Sequence, residues 1–173
     1  MIEGSGDLVM ESVPSCERSS TIPNDRLVPY AEGMSLHVAE NSSGPEFARS
    51  MFAADVASNA LGMRLVESDV GTATVAMTVT EDMVNGHGIT HGGYVFALAD
   101  TAFAVACNGY GKTTVASGAA ITFVASTGLG DELIADAVER VRRGRSGVYD
   151  VTVRCAGVVV AEFRGNSREL SVR

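Results

Sequence analysis

A single charged side chain interrupts an otherwise apolar run. Residues 94–107, YVFALADTAFAVAC, contain Ala, Val, Leu, Phe, Tyr, Thr and Cys and one carboxylate, Asp100. Five alanines favour helix over strand, and a helix apolar on all sides belongs in a core. Gly92 and Gly93 precede the run, and Asn108, Gly109 and Gly111 end it. An unpaired buried carboxylate is costly unless it is hydrogen-bonded, protonated or faces a cleft. A cap to nearby backbone or a distant Arg would satisfy it. The head of the helix suggests another use. Free backbone N–H groups and a positive dipole end collect at Gly92 and Gly93, where the missing side chain lets a ligand approach. Donor amides polarise a carbonyl, and a carboxylate attacks it or activates water. That pairing suits acyl transfer. Eight positions separate Gly92 from Asp100, about 12 Å at 1.5 Å per residue, too far for both to reach one carbonyl. Two such helices running antiparallel in a two-fold dimer would bring the glycine of one beside the aspartate of the other, making two sites.

Other candidates are weaker. His87 and His91 are four apart, a metal-ligand spacing on a helix, but both precede the helix with glycine between them. No metal is expected there. No Gly-x-Ser-x-Gly elbow supplies a serine nucleophile, and no strand leads into the glycines as a nucleotide-binding loop requires. Cys107 reads as a core residue. Phe96 and Phe103 fall on the Asp100 side of the helix, at i−4 and i+3, as core or as the wall of an acyl pocket. The segment RVRRGR, residues 140–145, gathers four of the thirteen basic residues. It is either a solvated turn whose charges guard an edge strand or a phosphate-binding patch of Arg forks.

The elements that must position these residues can be read in order. Residues 1–44 are rich in Ser, Glu, Pro and Gly, hold three of the four prolines, and read as a flexible extension in which His37 is a surface residue. Residues 45–59 read as one helix with Pro45 and Glu46 in its first turn and Phe47, Met51, Ala54 and Ala57 or Ser58 on its core face. Residues 61–68 and a run from Gly71 read as strands, the second alternating Thr72, Thr74, Ala76, Thr78 and Thr80 with Ala73, Val75, Met77 and Val79. After the central helix, residues 113–126, 133–141, 148–155 and 158–168 read as four more strands, with Gly144 and Gly147 framing a hairpin. An antiparallel sheet curled around the apolar helix is the expected α+β solution. The 173 residues fit one domain, placed at 45–173. A net charge of −8 argues against nucleic acid as a partner. No run suggests a membrane span or signal peptide. Cys16, Cys107 and Cys155 form no disulfide or metal pattern. A cytoplasmic location follows as an expectation.

The segment HGGYVFALADTAFAVACNGYG, with Asn85 and Gly86 before it, resembles the helix signature of hotdog-fold thioesterases, most closely the phenylacetate-pathway acyl-CoA group. The resemblance continues through TTVASGAAITFVAS, GDELIADAVERVRRGRSGVYDVTVR and VVVAEFRGNSREL, covering roughly 47–170. It implies hydrolysis of acyl-CoA, phenylacetyl-CoA or another aryl-acyl-CoA. Asp100 falls at the family's catalytic carboxylate, and Gly92 at the backbone donor to the thioester oxygen. His91 and Asn85 fall at positions that line the site. Carboxylate and glycine come from opposite subunits of a homodimer, with dimers pairing into a homotetramer. Coenzyme A is substrate and leaving group, and no retained cofactor is implied. Related enzymes bind the nucleotide near the basic hairpin, which points to Arg142, Arg143, Gly144, Arg145 and Ser146. Ser117 is the nearest candidate for a supporting hydroxyl. Two rivals share the fold: a hydratase or dehydratase using His91 and Asp100, and a non-catalytic acyl-CoA-binding regulator.

Overall fold

The computed structural model describes residues 43–171. The expected extension, with Cys16 and His37, lies outside these except for its last two residues. The elements are helices α1 (Gly44–Ala53) and α2 (Val56–Ala60), strands β1 (Arg64–Asp69) and β2 (Thr72–Thr78), and a 3-10 turn at Glu81–Met83. Helix α3 (Gly92–Asn108) and strands β3 (Thr114–Phe123), β4 (Glu132–Arg143), β5 (Ser146–Cys155) and β6 (Val158–Glu169) follow. The six strands form one antiparallel sheet in the order β1-β2-β4-β5-β6-β3, wrapped around α3. The expected architecture is present.

The single helix expected over 45–59 is two. Asp55 breaks it by accepting hydrogen bonds from Ser58 N (3.1 Å) and Ser58 Oγ, a cap that competes with helix continuation. Its core face is also rotated from the expected one. Ala48 and Phe52 are buried, Phe47 and Met51 half-buried, and Ala54 and Ala57 exposed, while Ser58 is buried as a capped polar group. The rotation seats the start of α1 on the end of α3, where Gly44 lies directly against Gly109.

Period-two patterning places the strands well. Ala73, Val75, Met77 and Val79 point inward, and Thr72, Thr74 and Thr78 outward. Strands β4, β5 and β6 repeat the pattern, so Leu133, Ala135, Tyr149, Val151, Val153 and Phe163 meet Leu98, Ala102 and Phe103 of α3 in one core. Each of the larger of these side chains contributes about 1.5–3 kcal/mol by leaving water. Phe103 fits because β6 has Gly165 opposite it, where a Cβ would lie 2.9 Å from the ring. The outer face carries cross-strand charge pairs. Asp136 binds Thr74 and Arg154, and Asp150 sits between Arg164 and Arg140.

Strand β3 differs from the others. It is an edge strand whose residues are exposed on both faces, including Val115 and Phe123. It is anchored at its start by Asn108, buried at the end of α3, which donates to Thr114 O and accepts from Thr114 N. The hairpin between β4 and β5 is tighter than expected. Its two-residue turn is Gly144-Arg145, with Gly144 at φ 58°, and Gly147 lies inside β5 rather than at the turn.

Candidate active site

The site is built at the head of α3. His91 is the N-cap, and its Nδ1 accepts a hydrogen bond from Gly93 N–H at 3.0 Å. In the neutral imidazole this leaves the proton on Nε2, available as a donor. Gly92 and Gly93, expected just before the helix, are its first two residues. Capping takes the Gly93 donor and Tyr94 N–H turns back to His91 O, so Gly92 N–H is left without a partner among the described residues. It points from the positive end of a 17-residue helix.

The loop before the helix is closed on itself. Asn85 Oδ1 accepts from His87 N (2.8 Å) and Ile89 N (3.4 Å), and Asn85 N donates to Ile89 O. Gly88 takes the left-handed conformation this turn needs (φ 76°). Two outside contacts fix the loop to the fold. His91 N donates to Met83 O, and the buried pair Thr90–Thr127 joins it to the segment after β3 (Thr90 N to Thr127 O 2.8 Å; hydroxyls 2.7 Å). Thr127 is a positioning residue that the sequence did not mark, because its partner lies 37 residues away.

Asp100 lies two turns into α3 and is half-buried in the single chain. It lies on an incompletely covered stripe with Ala97, Thr101 and Ala104, while Val95, Leu98, Ala99, Ala102 and Val105 face the core. No described residue caps or ion-pairs its carboxylate, so neither a cap nor a distant Arg satisfies it. Desolvation raises its pKa above the ordinary 3.8. Thr101 beside it is held by Ser58 Oγ at 2.9 Å. Phe96 and Phe103 do not frame the carboxylate. Both turn to the sheet, stacking on Phe163 with ring centroids 5.4 and 5.9 Å apart. Burial pushes the Cys107 thiol up to about 12, which removes it as a nucleophile.

The remaining expected residues lie elsewhere. Arg142, Arg143, Gly144, Arg145 and Ser146 form the β4–β5 hairpin, whose Arg142 packs on Tyr110, past the far end of α3, about 24 Å along the helix axis from Gly92 at 1.5 Å per residue. Arg142 is engaged by Glu169 (2.7 Å) and by the Tyr110 ring (4.4 Å). Arg145 donates to Glu169 O, and Ser146 Oγ accepts from Arg168. Arg143 alone of the hairpin arginines has no side-chain hydrogen bond or ion pair among the described residues. Ser117, at a bulge in β3, donates to Asn166 O at 3.1 Å. Among the described residues no three His, Cys, Asp or Glu side chains group as a metal site. No helix there is long and apolar enough to cross a membrane.

Known proteins resemble this chain in sequence and fold. The family model of the thioesterase superfamily matches residues 87–162, from the loop before α3 into β6. The chain is 44% identical over 124 residues to acyl-coenzyme A thioesterase PaaI of Escherichia coli K12, spanning 71% of this chain and 89% of that protein. The solved structure of the E. coli PaaI protein, from the phenylacetic acid degradation operon, superposes with a TM-score of 0.73 at 42% identity, covering 75% of this chain and 94% of that one. A Streptococcus mutans protein solved with acetyl-CoA bound superposes at 0.61 with 27% identity, covering 64% and 90%. With the fold and the head of α3 both matched over nearly the whole length of such relatives, the chain belongs to the thioesterase superfamily and has its hotdog fold.

Proposed function

We propose that the chain hydrolyses acyl-CoA thioesters, with phenylacetyl-CoA or a related aryl-acyl-CoA as substrate. The observation that carries this is the coexistence on one helix of an orphan N–H, at Gly92, and an unpartnered, desolvated carboxylate, Asp100. The relatives supply the substrate class, through the name of the E. coli enzyme and the acetyl-CoA bound to the S. mutans protein. Gly92 N–H receives the thioester oxygen and stabilises the charge that develops on it. Asp100 either attacks the carbonyl carbon or takes a proton from the water that does. If Asp100 attacks, breaking the C–S bond leaves an anhydride on Asp100 that a water then hydrolyses; if water attacks, breaking the C–S bond gives the acid directly. Either way coenzyme A leaves as the protonated thiol and the free acid is the other product. A raised pKa suits a carboxylate that must accept a proton near neutrality. His91 Nε2–H and the Asn85 amide are placed to orient substrate or water, and coenzyme A is substrate, with no retained cofactor in the reading.

Gly92 and Asp100 of one chain cannot share a carbonyl, so each site takes one residue from each subunit. Two features of the single chain support a two-fold dimer. The β3 edge is unpaired along ten residues, and the α3 stripe holding Asp100 is left open. Pairing β3 with its copy would continue the sheet and bring the two open stripes together, running antiparallel. A homotetramer made of two such dimers, and a cytoplasmic location, complete the reading. Arg143, with Gly144, Arg145 and Ser146 around it, is the phosphate-binding tip.

Thiol release from phenylacetyl-CoA and a panel of acyl-CoAs tests this, with Asp100→Asn beside wild type. Wild-type release with a loss of at least about a hundredfold in the variant is expected. Equal release by both removes Asp100 from the mechanism, and no release from any thioester overturns the activity.

A further inference from the structure

Phe123 is the last residue of β3 and is 51% exposed, although its neighbours in the sheet bury their aromatic rings. Its backbone pairs with Ala161 of β6, and its ring lies over the head of α3. A Cβ added to Gly92 would lie 2.9 Å from Phe123 Cζ and 3.3 and 3.4 Å from the two Cε atoms. Only a residue without a side chain lets the ring come this close. The contact is held from both sides. Thr90, two residues before Gly92, and Thr127, four after Phe123, form the buried pair that ties the two segments together. A partly exposed aromatic ring is thus fixed beside the orphan donor of the site.

We propose that Phe123 is a specificity-determining residue: its ring is the wall beside Gly92 N–H on which an aromatic acyl group packs. The inference rests on the thioesterase reading above. A thioester oxygen about 2.9 Å from the Gly92 nitrogen places its carbonyl carbon one bond further out. The aryl group of an arylacetyl chain, two bonds beyond that carbon, can then reach the roughly 4.5–7 Å centroid separation from the Phe123 ring at which rings attract. A straight alkyl chain gains the apolar contact and loses the ring–ring term. Gly92 therefore has two functions, offering its N–H and leaving room for the ring. Gly92→Ala keeps the first and removes the second.

The test compares kcat/KM for phenylacetyl-CoA and hexanoyl-CoA in wild type, Phe123→Leu, Gly92→Ala and the double variant, with melting temperatures as a folding control. Phe123→Leu is expected to lower the aryl-over-alkyl ratio about two- to tenfold. Gly92→Ala should lower the same ratio by displacing the ring, and the double variant should lose no more of it than Gly92→Ala alone, because both act through one contact. Phe123→Tyr, which keeps the ring, should retain the ratio. A ratio unmoved by Phe123→Leu, or losses that multiply in the double variant, overturns the proposal while the thioesterase reading stands. Wild type that releases thiol from neither substrate overturns both.

Discussion

Asp100 places function and stability in opposition. Desolvation raises its pKa and no described residue stabilises its charge, so the fold favours the protonated form more than the unfolded chain does. Stability from such a group is complete below the unfolded value and is lost as pH rises through the raised folded value. Asp100→Asn cannot ionise and escapes that loss. The Asn variant is therefore expected to melt above wild type at neutral pH, with the difference closing below the ordinary 3.8, in thermal melts followed across pH. A variant that melts lower at neutral pH would reveal a stabilising partner for the charge. In wild type, the proposed role of the ionised form predicts that the acid limb of kcat/KM falls at a pH above 3.8. The sequence identified Asp100 and Gly92 because a lone charge in an apolar helix and paired glycines at its head are local signals. Phe123 and Thr127 send no local signal. Each matters through a residue more than thirty positions away.

Among the elements, the strands were the most legible. Period two marked β2, β4 and β5 because each buries one face only. The helix before them was misread, since Asp55 sits amid helix-forming residues and its capping shows only once Ser58 is seen beneath it. The turns are separately testable. Between β5 and β6, Ala156 adopts φ 45° before Gly157 at φ 81°, a two-residue turn that favours Asn-Gly. Ala156→Asn is expected to stabilise by up to about 1 kcal/mol, raising Tm by a few degrees. An unchanged or lower Tm would show that the turn carries no strain. The β4–β5 hairpin read as basic, but only the structure shows how its charges are used. Arg142 and Arg145 are held by Glu169, and the unengaged Arg143 side chain supports the proposed phosphate contact. Arg143→Ala should raise KM for acyl-CoA several-fold and leave kcat near wild type, an effect fading at high salt. A KM that does not change would return the hairpin to a solvated turn.

The whole molecule looks incomplete as a single chain. A ten-residue edge strand with exposed apolar side chains would be an aggregation hazard in a lone chain, which supports the proposed dimer. Pairing through β3 also solves the problem of two site residues about 12 Å apart on one helix. Ala119→Lys places a charge in that edge at an exposed position. It is expected to give monomers in sedimentation or light scattering, with an unchanged circular dichroism spectrum and thiol release down by at least tenfold. A fully active monomer would show that one chain holds a whole site. An intact dimer would move the interface elsewhere.

The sequence alone determined the strands and the central helix, their order, and the two residues on which the proposed chemistry rests. Hydrophobic periodicity, glycine placement and a misfit charge are properties of neighbouring positions, and neighbouring positions are what a sequence displays. It also exposed the distance problem, because helix rise is fixed by covalent geometry. Tertiary structure decided what depends on approach across the chain. It decided that Gly92 N–H, rather than Gly93 N–H, is left free, because the His91 ring turns back to cap the latter. It decided which hairpin arginine is unengaged, and that an apolar strand lies at the edge of the sheet, unburied. Long-range packing sets these, and it brings Phe123 onto Gly92 only when β3 closes the sheet around α3.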